Sequence, residues 1–275
     1  MSKNKEYLNI DKLEICYKAT EEIKTRLRNG VEFLNDFIVI TRQFTKDNNL
    51  IYHNVELTNG LHFGEITFGN KYFNKDLIYF SIDNRILYTE YLPFINDVSN
   101  TLGLEFHSIS KFDLAFDKST NMIKKFYSVM NNETYDLMIL NKRYGINDEI
   151  GSLLHISSGT RKNPRKNKSF YINNAEGGLS LCCYNKTKEI HDKNNKKAYI
   201  FDVLQMKRIY RLEIRTEHHI LRDTLNNLNM TEFYLYQLIL NRCNEELFAI
   251  YKDLLSRLIE VKNKRNTICL LDFFE

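Results

Sequence analysis

Two carboxylates alternate with apolar residues in "KFDLAFD", residues 111–117. Side chains alternate between the two faces of a strand, so Asp113 and Asp117 are predicted to lie on the same face. Neighbouring carboxylates repel each other unless a cation lies among them. One such cation is a hard divalent metal, Mg²⁺ or Mn²⁺. The alternative is ion pairing with nearby lysine or arginine side chains.

A later stretch has the same alternation with mixed charges. In "YRLEIR", residues 210–215, one face carries Arg211, Glu213 and Arg215. An acid between two arginines is typical of an ion-pair ladder. If this strand neighbours the strand of Asp113, Glu213 becomes a further carboxylate of a metal site, and the arginines can hold phosphate.

Between these stretches, "SFYINNAEGGLSLCCYNKTKEI" contains two tyrosines thirteen positions apart, Tyr171 and Tyr184. Alternation places Lys186 on the face of Tyr184, and Glu189 follows the predicted strand. Three separate strands therefore each bring charged groups to one face of a sheet. A site that handles a phosphodiester needs such a set, with carboxylates for a metal, cations for phosphate and a nucleophile.

A cluster of basic residues without any acid precedes Tyr171. Such a cluster is either a solvated loop or a loop that contacts phosphates. Its members are Arg161, Lys162, Arg165, Lys166 and Lys168.

The elements that position these residues are mostly strands. Apolar and β-branched stretches punctuated by Gly, Asn and Asp fill the N-terminal third and residues 134–217, and helical periodicity appears at residues 91–103 and 121–132. The polar stretch 191–199 is predicted to be an exposed loop. This order predicts an α+β fold, with largely antiparallel sheet covered by helices and a helical C-terminal segment. We expect an α+β domain at residues 1–220 and the helical segment at residues 221–275.

Composition sets further bounds on the class of protein. The chain of 275 residues is 43% hydrophobic and 27% charged, which is typical of a globular protein. It contains no run of eighteen apolar residues, and its first residues lack the apolar core of a signal peptide. We therefore expect a cytoplasmic protein without a membrane segment. The net charge of +4 is mild, and the five cysteines show no zinc spacing.

Taken in order, these motifs resemble those of the replication initiation factor family, the rolling-circle replication initiators of small plasmids, with relatives in phages and mobile elements. "KFDLAFD" resembles the family's first motif, "YINNAEGGLSLCCYNKTKE" its middle motif, and "YRLEIR" its last. The resemblance covers residues 105–217. The sequence has Lys111, Asn173 and Asn185 where the family has Arg, Gly and Asp.

The resemblance implies an enzyme that nicks and closes DNA. Tyr171 would be the nucleophile and would remain linked to the 5′ phosphate, while Tyr184 is expected to pack with its hydroxyl bonded nearby. Mg²⁺ or Mn²⁺ would be held by Asp113, Asp117, Glu189 and Glu213. The expected partners are single-stranded or hairpin origin DNA, a host helicase and a second copy of the chain. DNA-binding residues would be Arg161, Lys162, Arg165, Lys166, Lys168, Lys186, Arg211 and Arg215.

Two other functions fit the same residues. One is a DNA-binding regulator of a mobile element, which keeps the basic cluster but lacks catalysis. The other is a structural protein of a phage or plasmid in which the charges form ion-pair ladders. The second alternative predicts no DNA affinity at physiological salt.

Overall fold

The computed structural model describes residues 6–18, 20–29, 33–35, 38–44, 51–68, 76–140, 142–144, 154–157, 169–174, 177–264 and 266–274. The chain divides into two compact units. The major unit comprises Met1–Asn9, Asp113–Asn229 and Cys243–Glu275, and the minor unit comprises Ile10–Phe112 and Met230–Arg242. No helix in the described part of the chain is long and apolar enough to span a membrane.

Fifteen strands are assigned within the described residues. They are β1 (Glu6–Lys18), β2 (Phe33–Asn35), β3 (Ile38–Phe44), β4 (Ile51–Leu57), β5 (His62–Phe68), β6 (Leu77–Ile82), β7 (Glu105–Lys118), β8 (Asp136–Ile139), β9 (Lys142–Tyr144), β10 (Leu154–Ser157), β11 (Ser169–Asn174), β12 (Leu179–Asn185), β13 (Tyr210–Glu217), β14 (Ile259–Asn263) and β15 (Asn266–Ile268).

Nine α-helices are assigned in the same part of the chain. They are α1 (Glu21–Arg28), α2 (Asn84–Leu87), α3 (Phe94–Leu102), α4 (Met122–Met130), α5 (Lys186–Asp192), α6 (Tyr199–Leu204), α7 (His218–Asn227), α8 (Glu232–Asn241) and α9 (Asn244–Leu258). A 3-10 helix follows at Leu270–Phe274.

In the major unit, the strands of the main sheet lie in the order β10-β11-β12-β13-β7, and a small second sheet has the order β15-β14-β8-β9. In the minor unit the order is β1-β6-β5-β4-β3-β2. Strands β1 and β7 each contribute residues to both units. Every pairing whose register is described is antiparallel.

One face of the main sheet in the major unit is apolar and packs on helices. Phe170 of β11 stacks on Phe126 of α4, with ring centroids 3.8 Å apart. The hydroxyl of Tyr251 in α9 donates to the carbonyl of Leu212 in β13 at 2.9 Å. Leu212 and its neighbours on this face are completely buried, so the apolar half of each alternating stretch forms the core.

The minor unit has its own core. Tyr236 of α8 stacks on Phe106 of β7, with ring centroids 4.8 Å apart. The same tyrosine donates a hydrogen bond of 2.7 Å to Asn96 of α3. Phe63 and Phe80 are fully buried on neighbouring strands β5 and β6. Burial of aromatic area on one sheet face is the main stabilising contribution here.

The predicted α+β class is confirmed. The predicted domain boundary at residue 220 lies inside α7, and the C-terminal segment contains β14 and β15 in addition to helices. In β14 the buried residues Ile259 and Val261 alternate with partly exposed ones, which is the pattern of a strand.

Candidate functional site

A polar face lies opposite the apolar face of the main sheet in the major unit. Tyr171 of β11 pairs with Cys182 of β12, and Cys182 pairs with Glu213 of β13. Directly paired residues point to the same face, so these three side chains share it. With neighbouring strands about 4.8 Å apart, the backbones at Tyr171 and Glu213 are separated by roughly 10 Å.

Glu213 is the centre of a bonded network on this face. Its Oε2 accepts a hydrogen bond of 2.7 Å from the hydroxyl of Tyr184. Its Oε1 accepts a hydrogen bond of 2.6 Å from Nε of Arg215. Glu213 is almost completely buried, and the charge of Arg215 compensates for the cost of removing this carboxylate from water.

Helix α5 brings a second acid and two lysines towards this network. Nζ of Lys186 lies 2.7 Å from Oε2 of Glu189 and donates to the hydroxyl of Tyr184 at 3.4 Å. Nζ of Lys193 lies 2.6 Å from Oε1 of Glu189. Burial acts to raise the pKa of Glu189, but the hydrogen bonds from the two lysines outweigh it and the pKa is lowered. Glu189 is therefore paired with two cations.

Asn185 fixes the start of α5. Its side-chain oxygen accepts a hydrogen bond of 3.0 Å from the backbone N–H of Lys188, as an N-cap residue does. The resembled family has Asp at this position, and Asp and Asn cap helices about equally well. The departure from the motif therefore preserves the local backbone structure.

Asp117 and Arg211 form a second, completely buried ion pair. Nε and Nη2 of Arg211 donate to the two carboxylate oxygens of Asp117 at 2.8 and 2.7 Å. The side-chain amide of Asn9 also donates to Asp117, at 3.0 Å. Both charged side chains are 0% exposed. Arg211 cannot contact a DNA backbone from this position, so the sequence-based assignment of Arg211 to DNA is corrected to a structural role.

Asp113 is half-buried and lies near the Glu213 network. Burial acts to lower the pKa of Arg215, but the charges of Glu213 and Asp113, together with the hydrogen bond that Arg215 donates to Glu213, raise it well above its usual value. Burial raises the pKa of Cys182 to about 11, and Glu213 and Asp113 contribute to the rise. Asp117 is bonded to Arg211, and Asp113 and Glu213 each lie an even number of residues from these two along the same strands, so Asp113 and Glu213 share one side of the sheet.

The carboxylates of this face do not fit a metal site as they stand. Both oxygens of Glu213, of Asp117 and of Glu189 lie within 2.8 Å of a basic or hydroxyl group. Among the described residues, no group of three or more His, Cys, Asp or Glu side chains is arranged to hold a metal ion. The arrangement of these three acids is the ion-pair alternative that the sequence left open.

The two tyrosines of the middle motif have different surroundings. Tyr171 is 37% exposed and extends from a strand whose other neighbour is β10. Tyr184 is partly buried, and its hydroxyl bridges Glu213 and Lys186. The hydroxyl of Tyr184 therefore belongs to the polar network, whereas Tyr171 presents its ring to solvent.

The predicted DNA-binding residues have three kinds of position. Arg215 is on the surface, with 54% of its side chain exposed. Lys186 is buried, with its ammonium group held by Glu189. The basic cluster, Arg161, Lys162, Arg165, Lys166 and Lys168, lies outside the described residues.

Two residues of the network have no sequence signal strong enough to identify them. Asn9 reaches Asp117 from a strand 108 positions away in the sequence. Lys193 falls in the stretch predicted to be an exposed polar loop, although its spacing of four from Glu189 is the spacing at which helical side chains meet. That spacing is the available signal for Lys193.

The strand order and the polar face define an α+β protein with an antiparallel main sheet in the major unit. Comparison of whole folds then gives a more specific likeness. The rolling-circle replication initiator protein from Geobacillus stearothermophilus has a similar fold, with a TM-score of 0.51 and 11% sequence identity. The match covers 98% of this chain and 95% of that chain.

At 11% identity, this likeness concerns the fold. No protein-family model matches the sequence, and a search of curated proteins found no match. The fold is therefore similar to that of the Geobacillus initiator over almost the full chain.

Proposed function

We propose that this protein initiates rolling-circle replication by nicking DNA through Tyr171. One observation carries the proposal: an exposed tyrosine lies on the same sheet face as a network of paired acids and cations, in a fold like that of a rolling-circle initiator. The motif resemblance independently assigns the same tyrosine.

In the proposed reaction, the hydroxyl oxygen of Tyr171 attacks the phosphorus of a phosphodiester. The new Tyr–O–P bond forms as the bond between phosphorus and the 3′ oxygen breaks. The hydroxyl proton passes through solvent or a nearby base, and the 3′ oxygen gains a proton. The products are a 5′-phosphotyrosyl link and a free 3′ hydroxyl, and the step needs no oxidant or reductant.

Exposed cations beside the network supply the electrostatic part of this mechanism. Arg215 and Lys193 have side chains that are 54% and 69% exposed. Both are held by acids of the network, so their positions are fixed before DNA binds. Fixed positive charge stabilises the negative charge that develops on the phosphate during attack.

The decisive experiment compares three forms of the chain incubated with single-stranded DNA carrying a hairpin. We expect the wild-type chain to form a covalent protein–DNA adduct that survives denaturing electrophoresis. Tyr171→Phe should abolish the adduct and leave DNA binding within about twofold, because only the hydroxyl is removed. Tyr184→Phe is the matched control and should retain an adduct, at a reduced rate because Glu213 loses a hydrogen bond. Loss of the adduct in Tyr184→Phe alone would reassign the nucleophile.

Binding of Mg²⁺ or Mn²⁺ is proposed from the motif resemblance. No step of the proposed reaction uses the metal, since three of the four predicted ligands are bonded to other groups. The test is calorimetric titration of the chelator-treated protein with Mn²⁺, in wild type and in Asp113→Asn. Binding that disappears in the variant would show that the acids exchange their present partners for the metal. No heat with wild type would remove the metal from the proposal.

A second candidate function is DNA binding without nicking. The observation that favours it is the complete pairing of Glu213, Asp117 and Glu189 with cations and hydroxyls. A protein of this kind would bind hairpin DNA and form no covalent adduct with it, whichever metal is present. The adduct assay distinguishes the two functions directly. Binding of a host helicase and binding of a second copy of the chain remain predictions.

A further inference from the structure

The two units repeat one order of elements. In the minor unit, β1 is followed by α1, and the later strands β3 to β6 pair in sequence until β6 lies beside β1. In the major unit, β7 is followed by α4, and β10 to β13 pair in sequence until β13 lies beside β7. In each unit a helix follows the last strand closely. In the minor unit one residue separates β6 from α2, which begins at Asn84, and in the major unit α7 begins at His218, directly after β13.

Strand registers align the two units residue by residue. Glu213 lies five residues before the start of α7, and Tyr79 lies five residues before the start of α2. Glu213 pairs with Cys182, and Tyr79 pairs with Thr67. On the next strand, Cys182 pairs with Tyr171 in the major unit, and Thr67 pairs with Tyr52 in the minor unit. Tyr52 is therefore the positional equivalent of Tyr171.

The sequences of the first strands agree with this alignment. "KLEICY", residues 12–17, corresponds to "KFDLAF", residues 111–116, so Glu14 corresponds to Asp113. The carboxylate of Glu14 accepts three hydrogen bonds, from Ser81, Ser110 and Lys111, at 2.5, 2.6 and 3.1 Å. Burial acts to raise the pKa of Glu14, but these hydrogen bonds lower it overall.

One segment has no helical counterpart among the described residues of the minor unit. Residues 186–209 join β12 to β13 in the major unit and contain α5 and α6, whereas residues 69–76 join the equivalent strands β5 and β6. We name residues 186–209 the inserted segment. It supplies Lys186, Glu189 and Lys193 to the polar network, so the addition is specific to the unit that carries the candidate site.

The inserted segment also forms an open cavity of about 430 Å³. The rings of His191 and Phe201 lie in its wall, stacked with centroids 5.8 Å apart and planes 29° apart. Met206 and Lys207 also line it, the first buried and the second exposed. The remaining lining residues are Asp202 and Gln205.

We propose that this cavity binds one base of the single-stranded DNA on which the candidate site acts, a proposal that rests on the proposed function. Stacked aromatic rings accept the face of any base, and a cation at the rim matches the adjoining phosphate. The polar groups of Asp202 and Gln205 can pair with the edge of the base. The volume lies in the range of small-molecule sites and accommodates a base with its sugar.

The same geometry disfavours other occupants. The wall combines two flat rings with hydrogen-bonding groups and a cation, which together match a nucleotide better than an apolar side chain or a lipid chain. The two ends of the segment are joined, because Thr187 Oγ1 accepts a hydrogen bond of 2.7 Å from the backbone N–H of Ile209, and its first residue, Lys186, donates to the hydroxyl of Tyr184. A base held here is therefore bound by the same structural element that carries Lys186 and Lys193.

The test measures binding of the full-length chain to fluorescent 20-nucleotide oligo(dT), oligo(dA) and oligo(dC) by anisotropy. Phe201→Ala should weaken binding about 5- to 100-fold, the range expected for loss of one stacked base. His191→Ala, at an exposed position, should weaken it in the same direction and guards against misfolding of the first variant. Phe233→Ala is the matched control, because Phe233 is an aromatic residue that is 56% exposed and lies in the minor unit. It should bind within about twofold of wild type.

Photocrosslinking with an oligonucleotide containing 5-bromodeoxyuridine provides an independent result, and the crosslinked peptide should fall within residues 186–209. Wild-type affinity in both Phe201→Ala and His191→Ala, or crosslinks only to other peptides, would overturn the base site. If those results accompany a Tyr171-dependent adduct, the proposed nicking function survives and only the base site fails. Absence of any binding by the wild-type chain would overturn both.

Discussion

At the scale of single residues, strand alternation decides which face a charged side chain occupies, and the neighbouring strand decides which partner it meets. Alternation correctly placed Arg211, Glu213 and Arg215 on one face, because the side-chain period of a strand is two. It did not predict that Asp117 would be held by Arg211, since the two residues are 94 positions apart and meet only through the order of strands. The alternating pattern within one strand tells which face a carboxylate occupies. Whether that carboxylate meets a metal or a basic side chain depends on which strand lies alongside.

The buried pair of Asp117 and Arg211 makes a stability prediction. Asp117→Asn should lower the free energy of unfolding by about 3–5 kcal/mol, because it leaves a buried guanidinium without its counter-charge. The double variant Asp117→Leu with Arg211→Met should recover much of that loss, since no charge is then buried. Urea unfolding followed by circular dichroism measures both.

The control for this experiment is an exposed pair. Lys18 and Glu105 are 3.3 Å apart with both side chains in solvent. Glu105→Gln should change the free energy of unfolding by less than about 1 kcal/mol. A loss in Asp117→Asn as small as the loss in Glu105→Gln would show that the buried pair contributes little.

At the scale of elements, strands with strict alternation were predicted well and short polar helices were not. The strand carrying "YRLEIR" and the strand carrying "KFDLAFD" are present as β13 and β7. Helices α5 and α6 were not predicted, because "KTKEIHD" has few apolar residues and no helical period. Its helical signals are instead an N-cap and oppositely charged side chains four residues apart.

The N-cap of α5 makes a second prediction. Asn185→Ala should destabilise the chain by about 1 kcal/mol, because the backbone N–H of Lys188 loses its acceptor. Asn185→Asp should leave stability within a few tenths of that of wild type, since Asp is an equally good cap. Thermal unfolding of the three proteins checks this. Equal losses in Ala and Asp variants would mean that the amide donors of Asn185 matter more than its oxygen.

At the scale of the whole molecule, the α+β class followed from the order of strands and helices in the sequence, but the division into two units did not. The units are assembled from segments that are distant in sequence, including Met230–Arg242, which joins the minor unit after the major unit's last main-sheet strand. Such an exchange leaves no compositional boundary in the chain. The repeated order of elements was equally hidden, because corresponding strands share an apolar period but few identical residues.

The basic cluster makes a prediction about the salt dependence of DNA binding. Replacing Arg161, Lys162, Arg165 and Lys166 with Ala should weaken binding to specific and random DNA alike, because phosphate contacts carry no sequence information. The slope of log affinity against log salt should flatten by roughly 0.7 to 0.9 for each phosphate that the variant no longer neutralises. A titration from about 50 to 200 mM salt measures it. The control replaces four exposed basic residues elsewhere with Ala, namely Lys12, Lys18, Arg85 and Lys124. Equal slopes in wild type and the cluster variant would make the cluster an ordinary solvated loop.

The alignment of the two units makes a prediction for Tyr52. In the minor unit, Tyr79 and Ser81 stand at the positions of Glu213 and Arg215. The ion-paired network is therefore not reproduced at these positions. Tyr52→Phe should therefore leave the covalent adduct unchanged, in contrast to Tyr171→Phe. An adduct that disappears in Tyr52→Phe would reveal a second nucleophile.

Two units with the same order of elements are what a gene duplication within one chain leaves behind. After such an event, selection for chemistry acts on only one copy, while selection for a stable core acts on both. Phe63 and Phe80, which are fully buried in the minor unit, should consequently vary little among descendants of the ancestral gene. Position 79, which stands where the major unit has Glu213, should not be held to a carboxylate, and the rate of substitution along the chain would then record on which half the proposed reaction depends.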